Sequence, residues 1–204
     1  MKKMILLIAA ICCAALSYNV LAQGNVTEPQ LTVLKQDTAE NLSAANLTLY
    51  TAVDDFGIDA FNIGEAVKFT APEPGWELKA VQILGWNGFN QTAGSIPQQS
   101  NFLIEIRDQN RDLLYRMADT QNAYFTFPVP LLREIEIPSI PVTGDFYVVF
   151  YDRGSMWIGM EQENGTENSF FFNGLNKETS PAQFTYGEDN QTLKVNWVIR
   201  AAGE

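Results

Sequence analysis

Across 204 residues the chain carries 13 Lys and Arg against 24 Asp and Glu, a net charge of -11, and no histidine. Its two cysteines, Cys12 and Cys13, both lie in the first apolar run, so a chain cleaved beyond that run keeps neither thiol nor imidazole. That excludes disulfides, thiol nucleophiles, imidazole bases and ordinary zinc sites, while the acidity excludes nucleic acid, whose binding needs clustered cations.

Lys2 and Lys3 precede an apolar run from Met4 to Leu16, and Val20-Leu21-Ala22 supplies the small outer residues of a cleavage site. This is the layout of a secretory signal peptide, residues 1–22. The apolar run, about 13 residues, is shorter than a bilayer span. Ile11 before Cys12 is a poor lipobox, so cleavage after Ala22 and no transmembrane anchor are expected. Loss of Lys2 and Lys3 leaves 11 cations against 24 anions, near -13. Export and acidity together point to an extracellular or cell-surface protein whose partners are neutral glycans, divalent cations or basic surfaces.

Residues 23–46 are polar and read as a flexible leader to a domain over 47–204. From Leu47 the pattern alternates with period two, the mark of half-buried strands. Asp54-Asp55-Phe56-Gly57 reads as a turn, and Ala66–Thr70 as a short strand ended by Pro72-Glu73-Pro74-Gly75. Leu78–Trp86 is apolar on both faces near its end, as a central strand is. A polar loop, 87–100, leads to Phe102–Arg107 and a hairpin through Asp108–Asp112 to Leu113–Met117. Further strands are predicted at Tyr124–Phe127, Glu134–Ile137, Phe146–Tyr151, Met156–Met160, Ser169–Asn173 and Leu193–Arg200. Short strands with closely spaced turns and no amphipathic helix predict an all-β fold: an antiparallel β-sandwich, specifically a jelly roll.

The run Asp54-Asp55-Phe56-Gly57, Gly64-Glu65-Ala66-Val67-Lys68-Phe69 and Val81-Gln82-Ile83 carries a resemblance. So do Phe102–Asp108, Gly144–Val149 and the ending Asn196-Trp197-Val198-Ile199-Arg200-Ala201. Together they resemble the jelly-roll accessory and adhesion modules of secreted bacterial and archaeal surface proteins, which are similar to carbohydrate-binding domains. The resemblance spans about Leu47 to Ala201 and rests on turns and core strands. It implies a non-catalytic binding role and transfers no binding residues.

The residues themselves suggest where a ligand would sit. Trp86, Asn87, Phe89 and Asn90 place aromatics and amides at a strand end and in the loop after it, and Trp157 adds a further flat face; sugars stack on such rings and bond to amides. Asp54, Asp55 and Asp59 crowd one turn with carboxylate oxygens of the kind calcium takes, although their spacing is not that of an EF-hand. Sequons at Asn25, Asn41, Asn46, Asn90, Asn164 and Asn190 mark glycosylation positions that need solvent. Two other readings stay open. Phe170-Phe171-Phe172 sets aromatics on both faces of one strand, so self-association through an exposed aromatic edge would make the chain a subunit of an envelope or filament. Glu105 and Glu161, at or beside strands, are the best pair for a small carboxylate glycosidase, which needs two carboxyls across one cleft.

Overall fold

The structure is a computed structural model that describes residues 30–38, 42, 48–162, 165–186 and 191–204. The signal peptide, most of the leader and the sequons at Asn25, Asn41, Asn46, Asn164 and Asn190 lie outside the described residues.

The long strands come first. β3 (Ile63–Thr70), β4 (Trp76–Trp86), β5 (Asn101–Asp108), β6 (Leu113–Thr120), β7 (Leu131–Val142) and β8 (Asp145–Tyr151) run in succession. β2 (Thr48–Tyr50) precedes them and β9 (Trp157–Glu161) follows. They pair as nested antiparallel partners, β5 with β6, β4 with β7, β3 with β8 and β2 with β9. Successive pairs alternate between two sheets. The first sheet runs β2-β9-β4-β7 and the second β3-β8-β5-β6. A long hairpin wound across two sheets in this way is the jelly roll, with both Greek keys closed.

The remaining strands extend that frame. β10 (Ser169–Asn173) and β11 (Glu178–Pro181) continue the second sheet beyond β3. β12 (Gln183–Tyr186) and β13 (Gln191–Lys194) form a separate ribbon. β4 and β9 touch at Gly85–Ile158 and Trp86–Trp157 and then diverge. The C-terminal strands β14 (Asn196–Trp197) and β15 (Ile199–Gly203) fill the fork. Val198 donates to Gly159 O at 2.9 Å and accepts from Leu84 N at 3.0 Å, which ties it to both sides. Gly159 is required at this crossing, because a Cβ there would lie 2.2 Å from Leu84 Cδ2. Among the described residues β7 pairs only with β4, and it carries Pro138 and Pro141, which blunt it as an edge.

Alternation decides what enters the core. Phe102, Ile104, Ile106, Phe146, Val148 and Phe150 of the second sheet face Val81, Ile83, Ile135, Ile158, Trp197 and Ile199 of the first. Full burial of each large apolar side chain stabilises the fold by about 1.5–3 kcal/mol. Aromatic pairs such as Phe102 against Phe150, centroids 5.5 Å apart, add directional contacts.

Several elements differ from the sequence expectation, among them β11 and β12, which stand where no strand is expected. Asp54 to Gly57 is part of a helix, Ala52–Phe56, that runs on into a 3-10 turn, Gly57–Asn62. Ala52 and Ala60 are buried and anchor it, and Asp152 Oδ2 takes the Ala52 N–H at 3.0 Å. Tyr124–Phe127, expected as a strand, is instead the end of a helical turn, Gln121–Phe125, and the two residues that follow it. A run so short has no readable period, and Gln121, bonded to Ser155 Oγ, Asp152 O and Asn101 O, fixes its start. Leu193–Arg200 is broken at Val195 and Val198, where the chain changes partners. Within the expected leader, β1 (Thr32–Leu34) pairs with β15, and Asp37 is buried against Arg200.

Candidate functional site

Trp86 closes β4 and Trp157 opens β9, and the register sets them directly opposite each other. Their neighbours Gly85 and Ile158 point into the core, so both indoles stand on the outer face of the first sheet. The rings lie 5.6 Å apart at 38°, each half-buried. Trp86 Nε1 donates to Phe127 O at 2.8 Å, so the one polar atom of that ring is satisfied by main chain. The Trp86 ring therefore offers solvent only aromatic carbon, and both rings are held by two paired strands. Gly88 (φ +78°) passes close over Trp157: a Cβ would sit 2.8 Å from Cζ3, so only glycine allows this approach.

The amides expected to bind ligand divide differently. Asn87 is buried and its Nδ2 donates to Asn122 Oδ1 and Thr126 Oγ1, both at 2.8 Å. Its Oδ1 accepts from Phe89 N at 3.2 Å. Asn87 is therefore a positioning residue that ties the loop after β4 to the Gln121–Phe125 turn, with nothing left for a ligand. Asn90 is exposed, and its Oδ1 caps its own loop through Thr92 N (2.9 Å) and Ala93 N (3.2 Å). The residue thus has the exposure that a sequon needs. Phe89 is half-buried beside Asn87. Sequence reading missed Phe127, Asn122 and Thr126, whose roles depend on partners 35 to 41 residues away.

The expected calcium ligands are not assembled. Asp54, Asp55 and Asp59 are all exposed along the helix and 3-10 turn, and no group of three or more acids among the described residues is arranged around a common point. Helical geometry in place of a tight turn spreads their side chains apart.

Two other acids are deeply buried at this end of the sandwich. Glu65 faces inward between Phe150 and Phe171, its register partners. Neither of its oxygens has a hydrogen-bond partner of good geometry. Burial pushes its carboxyl well above the usual range and the charge of Asp152 adds to this, against a partial offset from the amides of Glu65 and Asp152. Asp152 is raised as well, by its own burial, although it accepts Gly154 N (2.6 Å) and Ala52 N (3.0 Å).

The two glutamates expected as a catalytic pair stand on opposite outer faces. Ile104 and Ile106 point into the core and Glu105 points away on the second sheet; Ile158 and Met160 point inward and Glu161 away on the first. Both sheets, about 10 Å apart, lie between them, more than a pair spanning one glycosidic bond permits. Each is also occupied. Burial disfavours the charge of Glu105, but Arg107 and Arg116 (2.7 Å each to Nε) and Tyr151 Oη (2.9 Å) outweigh it and hold the carboxyl low. The Arg107 guanidinium lies 4.7 Å over the Phe172 ring. Burial likewise opposes the charge of Glu161, and Thr38 with Asn196 Nδ2 (3.0 Å) outweighs it.

The aromatic triplet is not an exposed edge. Phe171 faces the core and Phe172 is fully buried on the outer side, while β11 takes the free edge of β10. Phe170 stays half-buried against Tyr147, 6.0 Å away.

No family model and no curated protein matches the chain. The geometry of the tryptophan pair is therefore the main basis for a functional reading.

Proposed function

We propose that the chain is an exported, cell-surface binding module that holds a neutral glycan against Trp86 and Trp157, with Phe89 at the border of the site. The observation that carries this reading is the cross-strand indole pair: two half-exposed rings on a rigid sheet, with the Trp86 Nε1–H already satisfied. Exposed aromatic carbon of this kind suits the apolar face of a pyranose ring. The net charge disfavours anionic ligands, so an uncharged sugar is the natural partner. The resemblance to surface accessory modules agrees with this reading and with a non-catalytic role.

The test is a glycan array probed with residues 23–204, unmutated and as Trp157→Ala. Binding to neutral glycans that falls about fivefold or more in the variant is expected, since losing one stacking ring removes on the order of 1 kcal/mol. Binding that survives the substitution, or an array without a hit, contradicts it. Chelator should leave the signal unchanged, as Asp54, Asp55 and Asp59 form no common site.

A further inference from the structure

We propose that a second site, independent of the tryptophan pair, binds a small organic cation at the end of the sandwich where β10 and β11 pass the helix Ala52–Phe56. A cavity of about 220 Å³ lies there. Phe56, Ile63 and Phe171 give it an apolar wall, and Asn173, Glu178, Thr179 and Ser180 a polar one. At ~30 Å³ per water, its space is that of about seven water molecules, which suits a choline-sized group.

The sequence explains why the cavity is there. β11 extends the second sheet by pairing Glu178 with Asn173 and Ser180 with Phe171. These residues share the inward face of the sheet, but Glu178 and Ser180 are both exposed. The short helix leans against this margin through Phe56, whose ring meets Phe171 edge to face at 5.3 Å and 68°. The neighbouring segments expose more apolar surface, Phe61 at 56% and Leu175 at 76%, and are joined by Gly174 N to Asn62 O at 2.8 Å.

Charge selects the occupant. Glu178 is the one ionisable side chain in the wall. The helical segment beside it carries Asp54, Asp55 and Asp59, all exposed, and no base. Two bases of this margin are already engaged: Lys177 Nζ bonds Asp112 at 2.8 Å, and Arg111 Nη1 donates to Thr179 Oγ1, on the side chain that alternates away from Glu178 and Ser180, at 3.3 Å. Aromatic rings beside a carboxylate, without a competing base, favour an alkylammonium over an anion or a neutral apolar group. Asn176 Nδ2 donates to Glu178 Oε2 at 2.8 Å and orients that carboxylate.

Ligand-observed NMR titrations with choline and with its uncharged isostere 3,3-dimethylbutan-1-ol test this on the whole secreted chain. Choline is expected to bind at least about tenfold more tightly than the alcohol. Glu178→Gln, an exposed change, should remove most of that preference, and Phe56→Leu should weaken choline while keeping an apolar wall. Trp157→Ala should leave choline binding as it was, which separates this site from the glycan platform. Equal affinity for the two probes, no binding of either, or a preference that survives Glu178→Gln overturns the proposal. Retained far-ultraviolet circular dichroism in Glu178→Gln identifies its loss of preference as a loss of recognition.

Discussion

Glu65 is a buried carboxyl that the core holds at a cost. A carboxyl between Phe150 and Phe171, with no well-formed hydrogen bond, is tolerated only in its neutral form. Its folded-state pKa lies above the unfolded value of about 4.3. Below that value both states hold the proton and the group costs nothing through linkage. As pH rises the unfolded chain releases its proton while the folded chain retains it, so stability falls from about pH 4.5 up to the raised folded value. Glu65→Met should therefore raise unfolding stability at pH 7 by about 1–3 kcal/mol and flatten the loss between acid and neutral pH. Urea unfolding at a series of pH values measures both. Some slope should persist in the variant, because Asp152 is shifted in the same direction. An unchanged pH profile would mean that Glu65 is not the group that resists ionisation.

Among the elements, the short β1 and the residues after it carry more than their length suggests. Asp37 accepts from two guanidinium nitrogens of Arg200, Nε at 3.0 Å and Nη2 at 2.6 Å, and its side chain is fully buried. The pair fastens the start of the domain to its last strand, where β1 also lies. Asp37→Ala leaves a mostly buried guanidinium without its main counter-charge and should cost about 3–5 kcal/mol, read as a lower denaturant midpoint at constant slope. A loss below 1 kcal/mol would show that this attachment contributes little. Gly88→Ala tests the loop above Trp157: the new Cβ strains a left-handed backbone and displaces the indole ring, so it should lower the melting temperature and weaken glycan binding together. Equal affinity in the variant would remove Trp157 from the site.

Period-two alternation made the long strands legible, because inward and outward residues there differ sharply in polarity. Ser169–Asn173 was recognisable to the residue, and Phe102–Arg107 and Phe146–Tyr151 fell inside the observed strands. Short elements were not legible. β1 owes its place to a partner strand at the far end of the chain, and the Gln121–Phe125 turn to buried bonds from Gln121. Trp86 and Trp157 were visible as candidates, but that they stand opposite each other is a property of register, which local sequence does not reveal. Asn87 shows the converse: its residue type suggests a ligand contact, and only its three bonding partners show that it positions the loop.

At the scale of the whole molecule, a jelly roll with a core drawn from both sheets needs no cysteine to hold it. The fold offers two outer faces, and they differ in character. On the second sheet, Glu105 is enclosed by Arg107, Arg116 and Tyr151 and is already neutralised. The first sheet presents the indole pair. The four tryptophans divide accordingly: Trp76 and Trp197 are 3% and 0% exposed, while Trp86 and Trp157 reach solvent. Acrylamide quenching of tryptophan emission therefore reports mainly on the proposed platform. The most direct measurement is that quenching with and without a neutral glycan identified on the array, in the unmutated protein and in Trp157→Ala. Protection by the glycan in the unmutated protein, lost in Trp157→Ala, is the expected result. Equal protection in both proteins, or none in either, would place the sugar elsewhere and contradict the platform.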